Sequence, residues 1–330
     1  AITAAAPLPS VTAVASVATP ALTSNQSSTP PAQVQTQVQI QATTPVQSQA
    51  QIQAQLEVER LRAQLAELQA ASAAGTATAT NATPLRPLAP NPRRKALVMG
   101  NNAYEHVARL DNAQTDALAI ADALKTVGFQ VTLGRDLSER RMKELLRNFR
   151  QTVQGGDEVV VYFAGHGVQL ANTNYLLPVD IRGQNEEEVK DESIPLQRIL
   201  DDMQERRAGF MLAIIDACRD NPFRTVTRAA RSRGLAPTSA ATGQMIIFSA
   251  GTGQQALDKL GNNDTERNGL FTRLLLREMK KPGLSIDRIV RSVRTEVARL
   301  AKTVGHEQTP AVYDQTLGDF YFIPLASNSR

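Results

Sequence analysis

Four stretches of the chain, KALVMG (95–100), FQVTLG (129–134), DEVVVYFAG (157–165) and GFMLAIIDA (209–217), read as strands that are apolar on both faces. A strand that can show neither face to water must be covered on both, which leaves few architectures. The pattern predicts an α/β fold with a largely parallel sheet sandwiched by helices. Helical spacing fills the intervals. TDALAIADALKTVG (115–128) ends on Gly128 as a stop, SERRMKELLRNFRQTV (138–153) starts with Ser138 as N-cap, and IPLQRILDDMQER (194–206) precedes the fourth strand. A fifth strand, GQMIIFSAG (243–251), is followed by two helices, GLFTRLLLREMKK (269–281) and SIDRIVRSVRTEVARLAKT (285–303), and GDFYFIP (318–324) closes the folded part.

The rest of the chain has another character. Residues 1–51 are a low-complexity leader of Ala, Gln, Thr, Ser, Val and Pro, whose first fifty positions hold no charged side chain; such a stretch predicts disorder. Residues 52–73 carry Ala54, Val58, Leu61, Leu65, Leu68 and Ser72 at alternating spacings of four and three, the seam of a short coiled coil. That seam predicts weak self-association through residues 54–72, and the stretch reads equally as a lone solvated helix. Residues 74–92 are a Thr-, Ala- and Pro-rich linker, and 93–330 form one domain: a large segment over about 93–223, a loop over about 224–242 and a small segment over about 243–325.

Composition excludes several functions. A formal charge of +4 with 4% aromatics and no tryptophan gives no support to a nucleic-acid partner. No apolar run is long enough to span a bilayer. A single cysteine rules out an internal disulfide and a multi-cysteine metal site. MGNNAYEHVA, after the first strand, offers neither glycine-rich pattern of a nucleotide-binding loop. The first residue is Ala and the leader is Ala/Gln/Thr/Pro-rich, which favours an exported chain over a cytoplasmic one.

The chemistry gathers where two strands end. Val159–Phe163 runs into Ala164-Gly165-His166-Gly167, and Met211–Ile215 runs into Asp216-Ala217-Cys218-Arg219. Ligands collect at the carboxyl ends of strands in open α/β sheets. If the two strands are neighbours, about 4.8 Å apart, one of three histidines stands beside the only cysteine, a pair suited to nucleophilic catalysis. Gly165 and Gly167 would let the backbone around His166 turn tightly. The N–H groups of Gly167 and Cys218 are candidates for an oxyanion site. His106 and His306 have no nucleophile near them in sequence and read as structural or surface residues. A histidine some fifty residues upstream of an Ala-Cys-Arg core is a caspase signature.

Arg94 to Pro324, about seventy percent of the chain, resembles the caspase-like cysteine peptidases, and within them is most similar to bacterial metacaspase-like proteins, or orthocaspases. The resemblance rests on KALVMGNNAY, LDNAQTDALAIADALKTVGFQVT, VVYFAGHGVQ, NYLLPVD, IIDACRDNPF, IIFSAGTGQQALD, NGLFTRLLL and QTPAVYDQTLGDFYF, in family order. It implies six strands, mostly parallel with the last antiparallel, His166 as general base and Cys218 as nucleophile. It also implies specificity. Caspases proper hold an acidic side chain at P1, the residue whose carbonyl is attacked, whereas metacaspases hold Arg or Lys with carboxylates. Asp216 and Asp116 occupy the positions of those carboxylates, and two such groups suit a guanidinium. As alternatives, Asp116 could cap its own helix and Asp216 could be tied up by Arg219. Ala164 stands where many metacaspases have serine.

The same resemblance places calcium ligands near Asp180, Asp191 and Glu192, with calcium as activator of a chemistry that needs no cofactor, although RGQNEEEVKDES is acidic in any case. The 224–242 loop sits at the usual junction of the two segments and offers Arg224, Arg228, Arg231 and Arg233 for self-cleavage, or is simply a basic solvated loop. Phe248, Ser249, Ala250 and Gly251 would border the cleft, with Ser249 and Ala250 offering backbone to an extended substrate peptide. Protein or peptide substrates with a basic P1 residue are the expected partners. The competing function is a caspase-fold scaffold or binding protein without significant peptidase activity.

Overall fold

The computed structural model describes residues 57–60, 62–64, 88–170, 172–218, 223 and 240–325, with the side chain of Cys218 outside that description. The chain divides into two units, Ala1–Thr80 and Asn81–Arg330, and the sheet belongs to the second. In the first, residues 57–60 and 62–64 are helical and exposed. The other seam positions, the leader and Arg224, Arg228, Arg231 and Arg233 lie outside the described residues. At the end of the expected linker, Leu88 N–H donates to Thr126 O and Asn91 N–H to Gly128 O, both at 2.9 Å.

The central sheet is built from β1 (Arg94–Gly100), β2 (Gln130–Arg135), β3 (Glu158–Leu170), β6 (Phe210–Cys218), β7 (Gln244–Phe248) and β8 (Ala311–Asp314) in the order β2-β1-β3-β6-β7-β8. All neighbours are parallel except β7 and β8. Two short strands, β4 (Thr173–Leu176) and β5 (Ile194–Pro195), extend β3 as an antiparallel flap. Strand alternation assigns the two faces. Val160, Tyr162, Leu212 and Ile214 pack with α1 (Ala113–Thr126), α5 (Leu270–Glu278) and α6 (Ile286–Thr303); Val159, Val161, Phe163, Ala213 and Ile215 pack with α2 (Glu139–Thr152) and α4 (Leu196–Glu205). A seven-residue helix, α3 (Glu186–Glu192), precedes β5.

The expected α/β sandwich is present, with four differences of detail. β2 is an edge strand and only partly buried, as edge position dictates. β3 runs five residues past its expected end at Gly165, because β4 continues its ladder to Leu170. β7 stops at Phe248 rather than Gly251. The antiparallel closing strand is Ala311–Asp314, not GDFYFIP. That segment makes one bridge, Ser285 to Tyr321. Its Phe320 and Phe322 are buried, and the Arg94 guanidinium donates to the carbonyls of Tyr321 and Phe322, so the backbone is satisfied without a partner strand. Ser138 caps α2 as expected, accepting from Arg141 N–H at 3.5 Å.

Candidate active site

β3 and β6 are neighbours, and their register sets His166 directly beside Cys218, the last residue of β6. The histidine does not follow its strand but stands within it. The glycine before it serves close approach rather than a turn. A Cβ on Gly165 would lie 2.7 Å from the Tyr104 hydroxyl and 2.8 Å from Phe163 Cζ. Tyr104 uses that space. Its hydroxyl accepts from His166 N–H at 2.7 Å and donates to Leu177 O at 3.2 Å, and its ring lies 4.5 Å from the imidazole, tilted by 53°. The His166 ring is only 5% exposed. Its Nε2 lies 2.7 Å from Ala108 O. A carbonyl only accepts, so Nε2 carries the proton, and in the neutral ring Nδ1 is the basic nitrogen. Gly167 faces Leu176 in the β3–β4 ladder.

One strand position before Ala217, Asp216 is held on the α1/α5 side of the sheet. Its Oδ2 accepts from Thr272 Oγ1 at 2.7 Å and from the Tyr162 hydroxyl at 3.4 Å, and those two hydroxyls are 2.8 Å apart. Asp116, in the first turn of α1, is buried. It does not cap its own helix, whose N-cap is Asn112; it accepts from Asn268 Nδ2 at 2.7 Å and from Gly269 N–H at 3.1 Å, at the start of α5. Arg219, the other alternative partner considered for Asp216, lies outside the described residues.

The structure adds a third carboxylate, Asp258, at the exposed mouth of this space. Gly269 reports how close it comes. A Cβ there would sit 3.2 Å from Asp116 Oδ2 and 3.9 Å from Asp258 Oδ1, so any side chain would fill the gap between the two acids. Among the described residues no lysine or arginine closes an ion pair with Asp116, Asp216 or Asp258. The electrostatics follow. Loss of water on burial, then the negative charge of Asp216, pushes Asp116 up to about 8, against the pull of Asn268 and Gly269. Burial raises Asp216 as well, opposed by the hydroxyls of Thr272, Ser249 and Tyr162. The Ser249 hydroxyl is buried beside this carboxylate without closing a hydrogen bond of good geometry. Asp258 rises to about 6, through desolvation and then the charges of Asp216 and Asp111, against the pull of Lys259. Solvent reaches it and screens it, so it is less perturbed than Asp116.

Ser249 stands beside Asp216, and Ala250, the other expected backbone donor, is fully buried. Ser249 N–H donates to Ile215 O at 3.0 Å and its carbonyl accepts from Gln308 Nε2 at 2.8 Å, so its backbone is already engaged, contrary to expectation. Ala250 makes no backbone hydrogen bond among the described residues.

Asp180, Asp191 and Glu192 do not form a calcium cage. Asp180 accepts from Glu139 N–H at 2.8 Å at the start of α2, and Glu192 accepts from Arg182 N–H at 2.8 Å. Asp191 is exposed and its carbonyl accepts from Lys143. No three His, Cys, Asp or Glu side chains among the described residues gather so as to hold a metal ion. His306 is the structural residue expected of it, its Nε2 donating to Gln255 O at 2.9 Å. The described part of the chain contains no helix long and apolar enough to cross a membrane.

A parallel sheet that sets a histidine beside a cysteine at its carboxyl edge defines the class, a caspase-fold domain of the cysteine peptidases. Residues 93–322 match the family model of the caspase domain of the C14 peptidases, and the chain belongs to that family. It is similar to mucosa-associated lymphoid tissue lymphoma translocation protein 1 of Homo sapiens, 28% identical over 134 residues, which are 41% of this chain and 16% of that protein. It is also similar to caspase-12 of Canis lupus familiaris, 30% identical over 76 residues, 22% of this chain and 20% of that protein. The chain thus spans less than a quarter of the length of these relatives.

Proposed function

We propose that the protein is a cysteine endopeptidase that cleaves after arginine or lysine through an acyl-enzyme, with His166 and Cys218 as its dyad. One observation carries the reading: carboxylates from three separate segments, none closing an ion pair among the described residues, converge near the register pair His166–Cys218. A site that buries carboxylates without an ion-pair partner suits a positive group, which would favour their ionised form, and an extended peptide brings one as its P1 side chain.

The steps follow from the groups present. His166 Nδ1 takes the Cys218 thiol proton, and the thiolate attacks the scissile carbonyl carbon. The N–H groups of Gly167 and Cys218 are assigned to the developing oxyanion. The C–N bond breaks, the amine leaves with the proton held by His166, and water hydrolyses the thioester. The hydrogen bond from Nε2 to Ala108 O fixes the imidazole through both transfers. Asp116 and Asp216 receive the guanidinium or ammonium, and Asp258 closes the mouth over it. The same preference makes Arg224, Arg228, Arg231 and Arg233 candidates for self-processing.

The test is cleavage of fluorogenic peptides with Arg, Lys or Asp at P1, with and without calcium, beside Cys218→Ala. Turnover of Arg and Lys peptides that disappears in the variant supports the reading. Cleavage after Asp alone would overturn the role of the carboxylates, and no turnover by folded protein would favour a scaffold.

A further inference from the structure

The third carboxylate poses a mechanical question. Asp116 stands on a helix and Asp216 on a central strand, but Asp258 stands on an irregular stretch, Ser249–Asp258, the first part of a loop that continues to Gly269. Like charge from Asp216 and Asp111 pushes against it. Something must hold that segment inward. Gln308 lies between α6 and β8, far from the cleft in sequence, and is 1% exposed. Its amide reaches both ends of the segment. Nε2 donates to Ser249 O at 2.8 Å, and Oε1 accepts from Leu257 N–H at 3.0 Å. Leu257 O in turn accepts from Leu270 N–H at 2.9 Å, so both backbone groups of the residue before Asp258 are fixed. Neighbours add to the clasp. Gln254 Oε1 accepts from Gly251 N–H and Thr309 N–H, at 3.1 and 2.7 Å, and His306 holds Gln255 O. Only a side chain with a donor and an acceptor on one planar group can satisfy Ser249 O and Leu257 N–H together. Removing it strands one buried and one partly buried backbone group.

We propose that Gln308 is a positioning residue for substrate recognition, stapling Ser249–Asp258 so that Asp258 stays at the mouth of the carboxylate pocket. The proposal rests on the peptidase reading for its functional half and on geometry alone for its structural half.

Two measurements on the full chain separate those halves. Hydrogen–deuterium exchange of Gln308→Met is expected to show amides of 250–258 exchanging about tenfold faster, the loss of roughly one hydrogen bond's protection. Those of β3 and β6 should stay unchanged. Unaltered exchange in 250–258, or acceleration throughout the sheet, would overturn the staple whether or not the protein cleaves anything. With an Arg peptide, KM of Gln308→Met should rise about tenfold while kcat stays within about twofold, because the lost contact acts on binding. A fall in kcat at constant KM would overturn the role in recognition. Gln308→Glu supplies both bonds only when protonated, so its KM relative to wild type should improve as pH falls. A ratio independent of pH would count against the staple. Absence of wild-type turnover would defeat the peptidase reading, and the exchange result would still decide whether Gln308 holds the segment.

Discussion

Buried carboxylates occur in two regions of this molecule and meet opposite fates. At the amino-terminal edge of the sheet, Asp157 is 1% exposed and pairs with Lys95 Nζ at 2.7 Å, while accepting from Gln154 N–H at 2.9 Å. Glu278, at the far end of α5, is treated similarly. Burial alone would raise it, but the hydrogen bond and charge of Lys281, with Arg277, bring it below the usual carboxylate range. At the carboxyl edge Asp116, Asp216 and Asp258 have hydroxyls, amides and one another, and all three are pushed up. For buried Asp116 and Asp216 the difference is not depth but the missing cation; Asp258 is exposed and feels Lys259 without closing an ion pair. At the amino-terminal edge the chain supplies a partner; in the proposed pocket it leaves the place open.

The largest effect is expected where the pairing is complete. Lys95→Met leaves buried Asp157 with only the exposed Arg93, 3.9 Å away, as a cation, which should cost about 3 kcal/mol of stability in a denaturant melt. Next, Asp116→Asn should leave stability unchanged or raised, yet lower kcat/KM for Arg peptides on the order of a hundredfold, since a desolvated charge contact to the substrate is lost. If Asp116→Asn unfolds the protein as Lys95→Met does, the comparison fails. Gly269→Ala puts a methyl group into the gap between Asp116 and Asp258. It should weaken basic substrates by about tenfold, the scale of a small steric intrusion in a packed site, with Arg affected at least as much as Lys.

Stability against pH sharpens the contrast. An acid whose proton is held more tightly in the folded state stabilises most below its unfolded value of 3.8, and that contribution is lost as pH rises through its folded value. For Asp258 and Asp116 the loss falls through about 6 and then about 8. Melting temperature should therefore sag over that interval in wild type and less so in Asp116→Asn, while affinity for a P1 arginine climbs over the same interval. The smallest effect is expected from Thr272→Val, which removes a hydroxyl that favours ionised Asp216. A few-fold drop in kcat/KM, with the pH profile displaced upward, is the expected reading.

The sheet was legible because β1, β3 and β6 are apolar on both faces, which only a covered parallel sheet permits. The adjacency of His166 and Cys218 was legible only on the condition that their strands are neighbours, which the sheet order β3-β6 meets. Asp116 and Asp216 needed the family resemblance, since nothing in their local pattern separates them from a cap and a paired acid. Tyr104, Asp258, Gly269 and Gln308 were not recognised as site residues, for one physical reason. Each acts through a partner far along the chain, Gln308 through residues 51 and 59 positions away, and no local periodicity encodes such a contact. GDFYFIP has strand-like composition, but Arg94 satisfies its carbonyls from the side and makes a ladder unnecessary.

The pairing of His166 with Cys218 has a consequence for the protein's birth. The proposed base, nucleophile and three acids stand at positions 166, 218, 116, 216 and 258, and Gln308, which holds the stretch leading to Asp258, follows all of them in sequence. On the proposed reading, every group assigned to the chemistry is translated before the glutamine that positions Asp258, so the proposed cleft is complete only once position 308 has been added.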